Sequence, residues 1–168
     1  MLFKRLPVAD AVFTPERLPA AMTSYVRDEV RLTWAARADT RGRHRTEAGV
    51  EFGVMLSPGT VLADGDCLAL DPVKTLVVVR AIEEDVLVAR PASPRDGARW
   101  AYLIGNSHQA LMIGDDVVVC AATREAEQVL TFYQVPFTRE RRVFAPEAIG
   151  PGHHQGTRDQ GTGVRSGS

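Results

Sequence analysis

The chain has 168 residues, of which 45% are hydrophobic and 24% charged, and its formal net charge is −1 at pH 7. These values are typical of a globular protein with one ordinary domain or two small ones, and they favour neither nucleic acid nor a membrane surface as a partner. No apolar run approaches the roughly 18 residues of a membrane span, and the amino terminus lacks the continuous apolar core of a secretory signal.

The first half of the chain predicts a small all-β domain over residues 1–84, with a lead-in of few periodic signals over residues 1–28. Apolar residues alternate at 30–34 and 50–54, and turn residues separate these runs. This pattern indicates several short antiparallel strands. Residues 75–82 form a longer apolar run, which predicts a strand buried on both faces.

The second part, residues 85–150, predicts the element order β-α-β-β-α-β of a ferredoxin-like domain. Ser93 is a candidate cap for the first helix, and Gly105-Asn106 are expected to end it because both residues tolerate left-handed backbone. The predicted elements are strand 86–89, helix 95–104, strands 110–113 and 117–121, a helix capped by Thr123 and strand 136–144. The sequence therefore predicts an α+β fold with a small all-β domain followed by a ferredoxin-like one.

Residues 151–168 differ sharply in composition, since Val164 is their one aliphatic residue and Gly, Ser and Thr are frequent. Such a segment buries too little apolar surface to offset its ordering entropy, so we expect a flexible tail. It carries two of the four histidines, His153 and His154.

The two cysteines, Cys67 and Cys120, lie in apolar strand-like segments and form no C-x-x-C pair. This usage indicates buried, reduced thiols and a cytoplasmic protein, with a disulfide or zinc site as the less favoured alternative.

Arg41, Arg43 and Arg45 alternate within a basic segment, so on a strand they share one face. Such a face suits an acidic partner or phosphates, although a solvated sheet face is the more ordinary interpretation. Aromatic residues for base stacking are not interleaved with these arginines. A nucleic-acid-associated or scaffolding module using this strand is therefore the alternative function.

The motifs of nucleotide-binding loops, serine hydrolases and zinc proteases do not occur in the sequence. The acidic clusters at 64–66 and 83–85 lie beside predicted turns or strand ends, where solvated carboxylates are ordinary. Neither Cys120 nor His108 has an identifiable base, acid or orienting partner. The sequence therefore predicts a protein that is not an enzyme.

His108 is the one histidine expected on a structured turn outside the basic segment, and hydrophobic residues precede and follow it. A lone imidazole of this kind is usually a structural residue, and one histidine cannot make a metal site. In a two-fold homodimer, however, a residue on the axis is present twice. The flanking hydrophobes would then form the subunit interface, and tail imidazoles would complete the coordination.

The stretch "AYLIGNSH" resembles the "YHLGNRH" signature of the urease accessory nickel chaperones, the UreE family. The segments "DTRGRHRTEAGVEFGVMLSPGTVLADGDCL", "TLVVVRAIEEDVLVAR" and "VPFTRERRVFAPEAIGPGHH" are similar to further family segments, in the same order. Leu103 and Ser107 replace a histidine and an arginine of the signature, and the tail has only His153 and His154.

The resemblance implies an amino-terminal β-sandwich domain and a ferredoxin-like metal-binding domain. It also implies a nickel-binding metallochaperone that donates Ni²⁺ during assembly of the urease active site. It implies a homodimer that holds nickel between its subunits through His108, with His153 or His154 assisting. The partners it implies are the accessory GTPase and the apo-urease complex, with no nucleic acid and no membrane. Since imidazoles also bind Zn²⁺ and Cu²⁺, either ion is expected to substitute for nickel.

Overall fold

A computed structural model describes residues 6–146 of the chain. Three α-helices occur in this range: α1 (Trp34–Ala38), α2 (Pro94–Asn106) and α3 (Arg124–Phe132). The strands are β1 (Val8–Ala9), β2 (Val12–Phe13), β3 (Val26–Leu32), β4 (Arg43–Arg45), β5 (Glu51–Val54), β6 (Cys67–Leu70), β7 (Thr75–Ala81), β8 (Glu83–Ala89), β9 (Leu111–Ile113), β10 (Val118–Ala121) and β11 (Thr138–Val143).

The amino-terminal part consists of two small sheets with the strand orders β1-β5-β4 and β2-β6-β7-β3. Alternate residues of the two sheets face one shared core, which explains the period-two pattern of the sequence. Phe52, Leu68 and Val77 are completely buried in this core. The predicted all-β architecture is confirmed.

Two local predictions for this part are wrong, and the lead-in contains strands. Although its sequence has few periodic signals, the lead-in contributes β1, β2 and the start of β3. Two strand pairs are parallel, β1 with β5 and β3 with β7, and the long connections between these partners make that direction possible. Trp34 does not continue β3 but begins α1, since the Thr33 hydroxyl accepts a hydrogen bond from the Ala36 N–H and caps the helix.

The carboxy-terminal part has the ferredoxin-like order β8-α2-β9-β10-α3-β11, and its antiparallel sheet has the strand order β11-β8-β10-β9. Both helices cover one face, where Leu87, Ile104 and Leu130 are buried in a common core. The α+β class and the ferredoxin-like arrangement predicted from the sequence are confirmed. The predicted domain limits 1–84 and 85–150 stay a prediction, and the tail 151–168 lies outside the described residues.

The second face of this sheet is covered by residues from both parts of the chain. Val86, Val88 and Val119 are buried there together with Phe144, and Trp34 packs against the same cluster. The rings of Trp34 and Phe144 meet edge to face, with 5.6 Å between their centroids.

Arg37 of α1 connects the two parts by hydrogen bonds. Its Nη1 donates to the Leu62 carbonyl oxygen at 3.0 Å and its Nη2 to the Phe144 carbonyl oxygen at 2.6 Å. The side chain is buried although it is charged, and Arg37 as a whole is only 5% exposed. Because charged donors strengthen such bonds, Arg37 holds the end of β11 against the amino-terminal part.

His44 is the inward-facing residue of β4. Its ring centroid lies 5.7 Å from that of Phe52, and a Cβ atom at Gly42 would lie only 2.8 Å from its Nε2. Within the described residues this Nε2 is buried and has no hydrogen-bond partner. Burial lowers the pKa of His44, and the charge of Asp39 offsets this effect in part.

In the part of the chain that the structure describes, no helix is both long and apolar enough to cross a membrane.

Replacing Arg37 with Met is expected to lower the free energy of unfolding by about 2–4 kcal/mol, because two buried carbonyl groups lose charged donors. Urea denaturation of the metal-free protein measures this value. The control Arg31→Met, at an exposed position of β3, should change stability by no more than about 0.5 kcal/mol. Equal losses in both variants would contradict a stabilising role of the Arg37 hydrogen bonds.

Acidification is expected to destabilise the protein through His44. Because the folded-state pKa of His44 is lowered, its stabilising contribution is complete above the unfolded-state value of about 6.5 and is lost as the pH falls through the folded value. The loss of unfolding free energy between about pH 7.5 and pH 5.5 should therefore be smaller in His44→Leu than in the original chain. Urea titrations at both pH values test this, and an unchanged difference would remove His44 as the cause.

Candidate metal centre

Helix α2 begins with local signals that the sequence makes plain. The Ser93 hydroxyl accepts a hydrogen bond from the Asp96 N–H at 3.2 Å, Pro94 occupies the first turn, and the Asp96 carboxylate lies in that turn as well. A hydroxyl cap, a proline and an acid all favour a helix amino terminus. The helix therefore starts where the sequence predicts.

The end of α2 places His108 in a left-handed backbone conformation with a φ of 58°. The His108 N–H donates to the Gly105 carbonyl at 3.0 Å, and the Gln109 N–H donates to the Ile104 carbonyl at 3.3 Å. This pair of bonds is a Schellman motif, in which the residue after the cap takes the left-handed conformation. Glycine is the usual residue at such a position because it has no Cβ to clash.

The expectation that Gly105-Asn106 would end α2 is therefore wrong by two residues. Both residues remain helical, because Ser107 still donates its N–H to the Leu103 and Ile104 carbonyls. Gly105 is not required to turn the chain, and an added Cβ would make only an ordinary contact of 3.5 Å with Leu111 Cδ2. The left-handed residue is His108 itself.

Hydrogen bonds of both neighbours hold this turn in place. The Ser107 hydroxyl donates to the Ile104 carbonyl at 2.6 Å, and the Thr123 hydroxyl donates to Gln109 Oε1 at 3.2 Å. Ile104 on one side and Leu111 on the other are anchored in the core. His108 between them is exposed, so a rigid backbone presents a free imidazole to the outside.

The hydrophobes around His108 are mostly part of the chain's own core. Ile104 and Leu111 are buried, and Trp100 packs against the same cluster. Tyr102 and Ile113, by contrast, are 69% and 53% exposed. The prediction that all the hydrophobic residues around His108 form a subunit interface is therefore wrong. Only the exposed ones among them remain available to a partner.

The described residues of one chain do not form a metal site by themselves. Among residues 6–146 there is no group of three or more His, Cys, Asp or Glu side chains that could hold a metal ion. His153 and His154, the other predicted ligands, lie outside the described residues. A site at His108 therefore needs ligands from the tail or from a second chain.

The cysteines are not free to join His108. Both Cys67 and Cys120 are buried free thiols, as predicted. Cys120 lies in the core beneath the two helices, and burial raises its pKa to about 11. Because the thiolate is the form that binds metals, Cys120 is unsuited to serve as a ligand there.

The acidic clusters have structural contacts. Asp64 Oδ1 accepts a hydrogen bond from the Ala81 N–H, Asp66 Oδ2 from the Ala63 N–H, and Glu84 Oε1 from the Trp34 N–H. These carboxylates satisfy backbone donors at turns and between strands, which agrees with the ordinary interpretation of the clusters.

The three predicted docking arginines do not all lie on a strand. Arg43 and Arg45 share the outward face of β4, but Arg41 lies in the preceding turn, where its N–H donates to Asp39 Oδ1. This hydrogen bond to the Asp39 side chain stabilises the turn, and β4 begins only after it. Arg45 forms an ion pair with Glu51 across the sheet.

The sequence did not predict the left-handed backbone at His108 or the Thr123–Gln109 hydrogen bond. The same motif ends α3, where Gln134 has a φ of 56° and Val135 donates its N–H to the Leu130 carbonyl. Since neither helix has glycine at this position, the usual sequence signal was absent.

Comparison with known proteins agrees with both halves of the fold. The family model described as "UreE urease accessory protein, N-terminal domain" matches residues 14–81, and the corresponding C-terminal domain model matches residues 84–166.

Proteins named urease accessory protein UreE are among the relatives. The protein of Ectopseudomonas mendocina is 36% identical over 82% of this chain and 86% of its own length. The protein of Pseudarthrobacter chlorophenolicus is 35% identical over 77% and 84%. The protein of Burkholderia orbicola is 35% identical over 74% of this chain, and the match spans only 62% of that relative. The chain thus belongs to the UreE urease accessory protein family.

Proposed function

We propose that this protein is a nickel-binding metallochaperone that donates Ni²⁺ during assembly of the urease active site. The metal is held at a homodimer interface by His108 of each subunit, with His153 or His154 completing the coordination. Family membership supports the role in urease maturation, and the geometry of α2 supports the choice of His108.

The observation that carries the proposal is the exposed imidazole on a left-handed residue. A non-glycine residue in this conformation costs roughly 1–2 kcal/mol, and the described residues give His108 no side-chain hydrogen bond in return. The Schellman hydrogen bonds hold His108 in this conformation, as they hold Gln134 at the end of α3. At His108 the side chain presented in this way is an imidazole, and this chemistry supports the choice of His108 as a ligand. Imidazole is a good ligand for Ni²⁺.

Two-fold symmetry supplies the second ligand. One imidazole per chain becomes two at the axis of a homodimer, and the exposed Tyr102 and Ile113 offer apolar surface on the same domain. A site of few ligands also suits a carrier, because the metal must be released to the receiving protein.

The tail is long enough to reach His108. The strand registers put Leu111, at the start of β9, level with Arg139, four residues before the end of β11 at Val143. Three strand spacings, roughly 14 Å, and four residues along the strand, roughly 13 Å, separate Leu111 from Val143. His153 follows Pro146 by seven positions in the chain, a reach of up to roughly 25 Å.

The remaining parts of the proposal follow from the ligands and the family. Imidazole ligands alone do not select nickel, so Zn²⁺ or Cu²⁺ can substitute, and selectivity comes from metal availability and from the receiving partners. We propose the accessory GTPase and the apo-urease complex as these partners, in the cytoplasm and without catalysis by this chain.

Replacing His108 with Gly is expected to abolish tight nickel binding and to stabilise the metal-free fold. Relief of the left-handed strain outweighs the greater flexibility of unfolded glycine, which leaves a gain of about 0.5–1 kcal/mol. Calorimetric nickel titration and urea denaturation in the presence of a chelator measure the two effects.

The matched control is Gln134→Gly, which changes the same backbone position at the end of α3. This control should gain a similar free energy of unfolding, and it should bind nickel as tightly as the original chain. Undiminished nickel binding by His108→Gly would refute the site.

Replacing both His153 and His154 with Ala should weaken nickel binding while leaving one Ni²⁺ per two chains, because the paired His108 side chains remain. Titration combined with measurement of the native mass tests this. A loss of all binding would place the main site in the tail, and an unchanged affinity would exclude the tail ligands.

A further inference from the structure

The second face of the carboxy-terminal sheet, opposite to α2 and α3, is covered by a residue of the amino-terminal part. Trp34 begins α1, and its N–H donates to Glu84 Oε1 at 2.7 Å near the start of β8. Its half-buried ring meets the Phe144 ring edge to face and packs against the cluster that contains Val86. The amino-terminal part therefore covers the half of this face where β8 begins.

The strand register connects this half of the sheet with the turn that follows α2. Val86 of β8 pairs with Ala121 of β10, and Leu111 of β9 pairs with Cys120 of β10. Ala110 is therefore level with Ala121, one step beyond the last pair of β9 and β10. Because side chains alternate along a strand, both alanines point to the same face as Val86, which agrees with their packing in the same cluster.

Both alanines adjoin the turn after α2. Ala110 follows Gln109 directly, and Ala121 lies two residues before Thr123, whose hydroxyl donates to Gln109 Oε1 at 3.2 Å. Alanine side chains contribute little packing of their own, and the largest side chain on this cluster is that of Trp34. The second face beside the turn is therefore packed in part by a residue from the amino-terminal part.

We propose that Trp34 is a positioning residue for the metal site, because its packing on the cluster of Ala110 restricts the turn that carries His108. This inference rests on the proposed nickel site. On the helix side the turn is anchored by Ile104 and Leu111, and Trp34 provides the anchor on the opposite side of the sheet. A ligand whose backbone is fixed before binding loses less conformational freedom when the metal arrives, so a looser turn weakens nickel affinity.

Amide hydrogen exchange of the metal-free full chain, resolved by NMR, measures this effect without nickel. Trp34→Ala should accelerate exchange at His108 and Gln109, whose N–H groups close the turn after α2. The internal control is the turn after α3, where Gln134 and Val135 close the same motif near the opposite end of the sheet. The acceleration should be roughly twofold to thirtyfold greater after α2 than after α3. Equal acceleration of both turns would overturn the proposal.

Two further variants separate positioning from a general loss of stability. Leu68→Val alters a completely buried residue in the separate core of the amino-terminal part, and it should change exchange in both turns to the same extent. Trp34→Phe keeps an aromatic ring against Phe144 and should restore most of the protection that Trp34→Ala loses. If Trp34→Ala fails to fold, Trp34→Leu replaces it, and equal protection after α2 in Trp34→Leu and Trp34→Phe would refute the role of the ring.

Calorimetric nickel titration then connects the turn with the metal. Trp34→Ala should weaken nickel affinity by at least about threefold while leaving the number of bound ions unchanged, because no ligand is removed. Trp34→Phe should bind nickel almost as tightly as the original chain. Faster exchange after α2 with unchanged nickel affinity would overturn the positioning role and leave the nickel site intact. The site itself fails only if His108→Gly binds nickel undiminished, so the two failures are distinguishable.

Discussion

The two backbone hydrogen bonds that end α2 fix the conformation on which the candidate centre depends. They tie His108 and Gln109 to the Gly105 and Ile104 carbonyls, and Ile104 is itself held in the core beneath the helices. The turn is therefore anchored to the core. Within the described residues the imidazole makes no hydrogen bond of its own, so its position comes from the backbone alone. A side chain positioned in this way before any ligand binds suits the metal carrier that we propose.

The same backbone motif ends α3, so the left-handed conformation and the imidazole make separate contributions at His108. Gln134 has nearly the same φ as His108 and closes the same pair of hydrogen bonds, and it too is exposed. A left-handed helix end is therefore a device of this fold, not by itself a sign of metal binding. The difference lies in the side chain, because an imidazole offers a nitrogen ligand to Ni²⁺ and a carboxamide does not compete with it. The motif supplies the position, and histidine supplies the chemistry.

Most of the architecture could be predicted from the sequence because its signals are local. The Ser93 cap, the Thr123 cap and the apolar alternation at 50–54 each determine a nearby element. Strand direction could not be predicted for β3, whose parallel partner β7 lies more than 40 residues away and competes with nearer strands. The end of α2 could not be predicted, because Gly105 is a strong helix-stop signal whereas the Schellman bonds involve Ile104, which is anchored in the core. The alternation of Arg41, Arg43 and Arg45 does not show that Asp39 holds a turn at Arg41, before β4 begins.

The amino-terminal part of the chain fixes the position of the residues that follow β11. Phe144 is buried against Trp34, its carbonyl accepts a hydrogen bond from Arg37, and it lies on the sheet face opposite to α2. The described chain therefore leaves this domain on the sheet face opposite to α2. In the proposed site, the effective concentration of His153 and His154 at His108 is set by the length of chain that follows Phe144. Arg37 holds the starting point of that length through its hydrogen bond to the Phe144 carbonyl.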